Sequence, residues 1–144
     1  MTDYLFVYGT LMRGFGMQDG LGMRDRAEDA GTGKVLGELY DVDGTPALVA
    51  EGTDRVHGEV YRVVDDSLVE DVDRYEGYYP DSPSDSLYLR VHREVVDRDL
   101  QAWMYVYNAD VDDGVRVESG SWREYSDVDA VDPERGRSRG YEGR

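Results

Sequence analysis

Residues 103–107 read Trp-Met-Tyr-Val-Tyr, and this stretch decides the fold class. Side chains alternate between the two faces of a β-strand, and large apolar or aromatic side chains stand here at both alternations. Such a strand needs cover on both of its faces. A closed or nearly closed β-barrel with a helix packed against its outside provides that cover.

Strand-type sequence recurs on both sides of this stretch. The pair Asp43-Gly44 and the polar stretch 97–99 each predict a hairpin turn between neighbouring strands. The glycine-rich residues 9–32 show no sustained period and predict a long loop with a short helix near 18–25. We therefore predict an α+β domain with one main helix, a short closing helix or turn over 121–125, and strands over 4–8, 34–42, 46–50, 55–64, 87–96 and 100–108.

The main helix is predicted to begin at residues 67–70, Ser-Leu-Val-Glu, which have the form of a capping box with Ser67 as the N-cap. Apolar residues then recur at helical spacing, and Gly77 suits the position after the last helical residue. Glu76 falls inside the apolar arc of this helix. The remaining charged residues of the helix are expected to face solvent: Glu70, Asp71, Asp73 and Arg74.

An inward-facing carboxylate has a specific chemical use. Burial removes its hydration, which raises the pKa of a glutamate towards neutrality. A carboxylate of that kind is suited to general acid–base chemistry at neutral pH. Glu76 is therefore the candidate catalytic residue. The alternative is that the helix end frays and that Glu76 curls out into water.

The first predicted strand ends in the sequence Tyr8-Gly9-Thr10-Leu11. Gly9 permits a sharp turn and the close approach of a ligand. The backbone amides of residues 9–11 would then point together into a concave site, as amides do where they bind anions or oxyanions. The alternative is a plain turn between two elements.

The composition excludes several classes of protein. The 16 Lys and Arg face 32 Asp and Glu, which gives a formal net charge of −16, so the surface repels nucleic acids and anionic membranes. No apolar stretch approaches the roughly 20 residues that span a bilayer. The start of the chain lacks the basic residues of a signal peptide, and we expect a cytoplasmic protein. The absence of Cys excludes disulfides, thiol nucleophiles and Cys-ligated zinc.

The charged residues are of unusual kinds. Lys34 is the only lysine beside 15 Arg, and 21 Asp outnumber 11 Glu. This composition resembles that of proteins adapted to a high-salt cytoplasm, where salt screens the repulsion between surface charges. We expect a single domain over residues 1–126, followed by an acidic, Arg- and Gly-containing tail over 127–144 that is disordered.

Motifs spread in order over residues 4–125 resemble those of the gamma-glutamylcyclotransferase-like superfamily. The resemblance is closest to the branch that includes gamma-glutamylamine cyclotransferases. The matching stretches are Tyr-Leu-Phe-Val-Tyr-Gly-Thr-Leu-Met-Arg-Gly at 4–14, Val-His-Gly-Glu-Val-Tyr at 56–61, Asp-Arg-Tyr-Glu-Gly-Tyr at 73–78, Tyr-Leu-Arg at 88–90, Trp-Met-Tyr-Val-Tyr at 103–107 and Ser-Gly-Ser-Trp at 119–122.

The resemblance implies a small mixed β-barrel with flanking helices and a cavity at the turn over 8–11. It also implies a reaction in which a γ-glutamyl amine or amino acid cyclises to 5-oxoproline and releases the free amine, with Glu76 as the acid and base. The attacking nitrogen is the substrate's own α-amine. The reaction therefore requires no metal, no other cofactor and no nucleophile from the enzyme.

Tyr88 and Arg90 share one face of their predicted strand. We assign Tyr88 to substrate contact, and Arg90 either to the substrate carboxylate or to holding the site; the alternative is a tyrosine of the barrel wall and a surface arginine. The amides of residues 9–11 are assigned to the reacting carbonyl. Tyr8 is either a wall of the site or a core residue, and Arg13 is expected to be solvated near the cavity mouth.

Two other functional classes are weighed against the enzyme. The first is a protein of the same fold that binds a small ligand without turnover. The second is a metal-dependent hydrolase, suggested by the acidic run Asp110-Val-Asp-Asp. That run lacks the glutamate that completes a calcium loop, and the only two histidines, His57 and His92, do not have metal-ligand spacing. The sequence defines neither the leaving amine nor the oligomeric state.

Overall fold

The structure, a computed structural model, describes residues 3–126 of the 144-residue chain. The predicted tail over 127–144 lies outside the described residues. Short 3-10 turns cover Asp19–Leu21 and Pro83–Asp85. The strands and helices of the described part are β1 (Tyr4–Val7), α1 (Met23–Arg26), β2 (Ala27–Val42), β3 (Thr45–Val63), α2 (Ser67–Glu76), β4 (Tyr88–Val95), β5 (Leu100–Tyr107), β6 (Val115–Arg116) and α3 (Trp122–Ser126).

The strands form one mixed, six-stranded sheet in the order β4-β5-β1-β3-β2-β6. β1 lies between two neighbours, antiparallel to β3 and parallel to β5. The sheet curls so that β2 approaches the end of β4, where the Val96 N–H donates to the Lys34 carbonyl at 2.9 Å. The predicted α+β class and the curled, barrel-like sheet are confirmed.

The hairpin of β2 and β3 is longer than predicted. Residues 27–32, expected in a loop, are the start of β2, and residues 51–54, expected between two strands, lie within a continuous β3. The polar side chains of these two segments show no apolar alternation. Most of residues 27–32 pair with β3, and Arg62 Nη2 bonds the Glu28 carboxylate at 2.6 Å, whereas residues 51–53 lie at a bulge where the register of the hairpin shifts. The predicted turn at Asp43-Gly44 is present, and both residues have positive φ, 52° and 84°, as a type I′ turn requires.

Buried residues lie on both faces of the sheet at strand β5. Met104, Tyr105 and Val106 are all buried although they are consecutive, so β5 is covered on both faces as its sequence predicts. Leu68 and Val72 of α2 are fully buried in the same core cluster. Their burial fixes which face of α2 looks inward, and hence where the charged residues of that face lie.

The start of α2 differs from the predicted capping box with Ser67 as the N-cap. Asp66 occupies the N-cap position without a side-chain cap bond. The Asp65 carboxylate instead accepts hydrogen bonds from the Ser67 N–H and Oγ at 3.0 and 2.7 Å, so the carboxylate satisfies an orphan amide of the first turn. At the other end Gly77 has φ 73°, and the Tyr78 N–H donates to the Asp73 carbonyl at 2.8 Å. This left-handed termination confirms the role predicted for Gly77.

Candidate active site

One cavity of about 310 Å³ lies where the end of β1, the β2–β3 turn, the end of α2 and strands β4 and β5 meet. It brings together the predicted residues of three separate motifs. It is lined by Phe6, Val7, Tyr8, Gly9, Thr10, Leu11, Gly44, Thr45, Pro46, Tyr75, Glu76, Tyr88 and Tyr105.

Glu76 is the last residue of α2 and lies in the cavity wall, partly buried. Burial raises the pKa of Glu76 from 4.5 to about 7. Within residues 3–126 its carboxylate has no hydrogen-bond or ion-pair partner. An unpartnered, partly dehydrated carboxylate with a pKa near neutrality can both accept and return a proton at neutral pH.

The turn after β1 forms the opposite part of the wall. The Met12 N–H donates to the Gly9 carbonyl at 3.1 Å, whereas the N–H groups of Gly9, Thr10 and Leu11 donate to no acceptor within the described part of the chain. Gly9 and Leu11 are buried, and buried backbone donors are rarely left without an acceptor. These three amides are available to an oxygen atom bound in the cavity.

Gly9 is required for a reason that the sequence did not show. Its φ is not among the positive values of the chain, so the turn does not depend on a left-handed glycine. A Cβ at this position would stand 2.6 Å from Cγ of Pro46. Gly9 therefore lets the turn after β1 pack directly against the β2–β3 hairpin, and it closes one side of the cavity.

The hydroxyl groups of four tyrosines in the cavity wall are all engaged by the protein. Tyr8 donates to the Tyr105 carbonyl at 2.5 Å and Tyr88 donates to the Pro46 carbonyl. Tyr75 Oη lies 2.8 Å from Thr10 Oγ1, and Tyr105 donates to Asp73 at 2.6 Å. Burial is the main cause that raises the pKa of each phenol, so they stay neutral and leave Glu76 as the group that titrates near pH 7.

Arg90 does not line the cavity, although it shares a strand face with Tyr88. Its Nε donates to the Asp73 carboxylate at 2.8 Å, and its guanidinium lies 4.4 Å from the centre of the Trp103 ring. Of the two roles expected for Arg90, the geometry favours holding the site. Arg13 also stands outside the cavity, with an exposed side chain paired to Asp29.

The position of Asp73 differs from the prediction made from the helical periodicity. It was expected in solvent, yet it is 5% exposed and is bonded by Arg90 and Tyr105. Four residues after Val69, it stands only about 40° beyond the apolar arc, which was the signal available in the sequence. Its partners lie 17 and 32 residues away along the chain, so no local pattern shows them.

The sequence reasoning missed further lining residues. Tyr75 was visible only as part of the apolar helix arc, and Tyr105 only as a residue of a doubly covered strand. Gly44, Thr45 and Pro46 come into the wall because the long hairpin folds over the turn after β1. No motif indicates that contact, since the two segments are far apart in sequence.

The described residues contain no Lys, Arg or His in the lining of this cavity. Within residues 3–126 no group of three or more His, Cys, Asp or Glu is placed to hold a metal ion. None of the helices in the same residues is long and apolar enough to cross a membrane.

Comparison with known proteins gives one consistent result. The model of a family described as gamma-glutamyl cyclotransferase, AIG2-like, matches residues 5–124. The solution structure of YtfP from Escherichia coli is 29% identical, with a TM-score of 0.65 over 85% of this chain and 97% of that chain. An AIG2-like protein of Mus musculus is 26% identical, with a TM-score of 0.58 over 76% of this chain and 80% of that one. A Pyrococcus horikoshii protein, 22% identical with a TM-score of 0.65 over 85% and 92%, shares the fold. No curated protein sequence matches the chain.

Proposed function

Because the chain belongs to the gamma-glutamyl cyclotransferase, AIG2-like family, we propose that it is a cyclotransferase that converts a γ-glutamyl compound to 5-oxoproline and releases the free amine or amino acid. The observation that carries the proposal is the unpartnered carboxylate of Glu76 in the same cavity as three unpaired backbone amides. The two features supply a proton carrier and an oxyanion site, which are what this cyclisation needs.

The proposed reaction begins with the α-ammonium group of the substrate. Glu76 takes a proton from it, and the resulting amine attacks the γ-carbonyl carbon to form the new carbon–nitrogen bond of the ring. Bond formation leaves two hydrogens on the ring nitrogen. As the amide bond to the leaving nitrogen breaks, Glu76 gives its first proton to that nitrogen; it then takes the second proton from the ring nitrogen and passes it to the released amine, which leaves as an ammonium ion. A single carboxylate suffices because each proton taken from the attacking nitrogen is delivered to the leaving nitrogen, and a pKa of about 7 suits both directions of transfer.

The amides of Gly9, Thr10 and Leu11 are proposed to donate to the γ-carbonyl oxygen as negative charge develops on it. Donors of this kind accelerate a reaction because the negative charge on the oxygen is larger in the transition state than in the substrate, so they stabilise the transition state more. Tyr88 and Tyr8, whose hydroxyls are already bonded to the protein, would then contact the substrate with their rings. Folding the γ-glutamyl chain against these walls brings the amine close to the carbonyl.

We further propose that the leaving group is an amine without a carboxylate. Among the described residues no cationic side chain lines the cavity, and the chain carries a formal net charge of −16. A leaving amino acid would bring a second carboxylate, in addition to that of the γ-glutamyl group, into a site without a cationic side chain, at an electrostatic cost. We expect a cytoplasmic enzyme that uses no cofactor.

The experiment is a product screen. The full chain is incubated in molar KCl with γ-glutamyl amines and with γ-glutamyl amino acids, and 5-oxoproline is measured. The proposal expects product from the wild-type chain, faster from amines, and a loss of about 10²-fold or more in Glu76→Gln. Tight binding of a γ-glutamyl compound with no 5-oxoproline over hours would support the binding-protein alternative instead.

A further inference from the structure

Asp73 is a second buried carboxylate on the same helix as Glu76, three residues before it. Its oxygens accept hydrogen bonds from Arg90 Nε at 2.8 Å, from Arg90 Nη2 at 3.3 Å and from the Tyr105 hydroxyl at 2.6 Å. The Asp73 side chain is 7% exposed and that of Arg90 is 20% exposed. The ion pair is therefore shielded from bulk water. In this shielded position its charges act on neighbouring groups more strongly than surface charges do.

The partners of Asp73 are themselves held in place. The Arg90 guanidinium lies over the Trp103 ring at 4.4 Å and near the Tyr78 ring at 5.6 Å. The Tyr105 carbonyl accepts the Tyr8 hydroxyl at 2.5 Å. The Asp73 carboxylate thus joins the C-terminal turn of α2 to β4 through Arg90 and to β5 through Tyr105, and the Tyr105 carbonyl in turn holds Tyr8 at the start of the turn after β1.

The charge of this pair matters to Glu76 because the two carboxylates stand about 60° apart on one helix, within a single turn. A bare Asp73 carboxylate would disfavour a negative charge on Glu76, and a bare Arg90 would favour it. Paired, the two charges largely cancel at Glu76. The other titratable groups that face Glu76 are neutral phenols: Tyr8 after β1, Tyr75 on α2, Tyr88 on β4 and Tyr105 on β5. The β2–β3 turn contributes only Gly44, Thr45 and Pro46 to the lining.

We propose that Asp73 and Arg90 form a positioning pair that anchors the end of α2 to the sheet and keeps the environment of Glu76 electrically neutral apart from its own charge. The pair acts through Glu76 and does not line the cavity. The inference rests on the proposed function only for what Glu76 does to a substrate. The effect of the pair on the protonation of Glu76 exists without any substrate and can be measured without one.

The test is a titration of Glu76 in the full chain by ¹³C NMR of the glutamate side-chain carboxyls. The chain has 11 Glu, and the resonance missing in Glu76→Gln assigns the one of interest. In Asp73→Asn the uncompensated Arg90 is expected to lower the pKa of Glu76 by about one pH unit. In Arg90→Met the two carboxyls titrate as a coupled pair, and the last proton leaves at a pH about one unit higher.

The double variant Asp73→Asn/Arg90→Met removes both charges and is expected to return the titration of Glu76 to that of the wild-type chain. Arg90→Lys keeps the positive charge, and the titration of Glu76 in this variant is expected to stay close to that in the wild-type chain as well. Arg74→Met is the matched control, since Arg74 is an exposed cation on the same helix, paired to Asp71, and its removal is expected to leave Glu76 unshifted. If Arg90→Met does not fold, Asp73→Asn decides alone, because Asn keeps the shape of Asp.

Opposite shifts in the two single variants, cancelled in the double variant, support the pair as a charge-balancing device. No shift, or shifts of the same sign, overturns it and leaves Asp73 and Arg90 as structural residues only. Where 5-oxoproline is formed, the pH profile of kcat/KM, which reports the free enzyme, is expected to move with the NMR titration. A wild-type chain that makes no 5-oxoproline but shows the opposite shifts overturns the proposed function and supports the inference.

Discussion

Thr10 Oγ1 and Tyr75 Oη lie 2.8 Å apart, and this hydrogen bond joins the turn after β1 to the helix residue directly before Glu76. The two halves of the cavity wall, which carry the unpaired amides and the carboxylate, are thus bonded to each other across 65 residues of sequence. Their separation is set by this contact as well as by the packing of the core.

We expect Tyr75→Phe and Thr10→Val each to lower kcat/KM for 5-oxoproline release by about tenfold, because each loosens the placement of the turn relative to Glu76. The double variant is expected to be little worse than either single one. A double-mutant cycle on kcat/KM measures this coupling. Fully additive losses would show that the two hydroxyls act independently.

Glu76→Gln is expected to change stability in a pH-dependent way. Because burial raises the pKa of Glu76 from 4.5 to about 7, between these pH values the folded chain holds a proton that the unfolded chain has lost. The free energy of unfolding of the wild-type chain therefore falls as pH rises through this window, by about 3 kcal/mol in total. This fall is absent in the variant.

Urea unfolding at fixed high KCl concentration checks this expectation. The advantage of Glu76→Gln over the wild-type chain should grow by about 3 kcal/mol between about pH 4 and pH 8. A difference that is the same at both pH values would mean that Glu76 titrates alike in the folded and unfolded chains, as a solvated carboxylate does.

Gly9→Ala is expected to damage the site, because its Cβ would stand 2.6 Å from Cγ of Pro46 and force the turn and the hairpin apart. Overpacking of this kind costs about 1–3 kcal/mol, and kcat/KM should fall with it. Gly20→Ala is the control, since nothing lies within 4 Å of its added Cβ. Equal melting temperatures and equal activities for the two variants would contradict the contact proposed to shape the cavity.

The acidic surface is expected to make folding depend on salt. With a formal net charge of −16, repulsion between carboxylates destabilises the folded chain in dilute buffer. Salt shortens the range of this repulsion from about 10 Å at 0.1 M to about 3 Å at 1 M. The melting temperature should rise steeply with KCl over this range, and a flat response would remove the resemblance to salt-adapted proteins.

The features that could be predicted from the sequence are those that depend on the pattern of apolar and polar residues within a short stretch. The double cover of β5 follows from residues 103–107 alone, and the inward position of Glu76 follows from the apolar arc of α2. The turn at Gly9 was also visible, although the reason for its glycine was not. In each case the signal lies within about ten consecutive residues.

The features that could not be predicted depend on partners distant in sequence. Residues 27–32 form a strand because β3 pairs with them, and their own polar sequence does not favour one. Asp73 is buried because Arg90 and Tyr105 meet it there, and an unpaired aspartate at that position would be costly to bury. Hairpin length and buried ion pairs are decided by tertiary contact, which overrides the local preference.

The most direct measurement compares two pKa values of the same protein, that of kcat/KM for 5-oxoproline release and that of the Glu76 carboxyl by NMR. Because Glu76 is the proposed base, kcat/KM should rise with pH through a pKa of about 7, and the Glu76 carboxyl should titrate at the same pH. A Glu76 carboxyl that titrates near its ordinary value of 4.5, or a rate that rises at a different pH from Glu76, would contradict its role as the proton carrier.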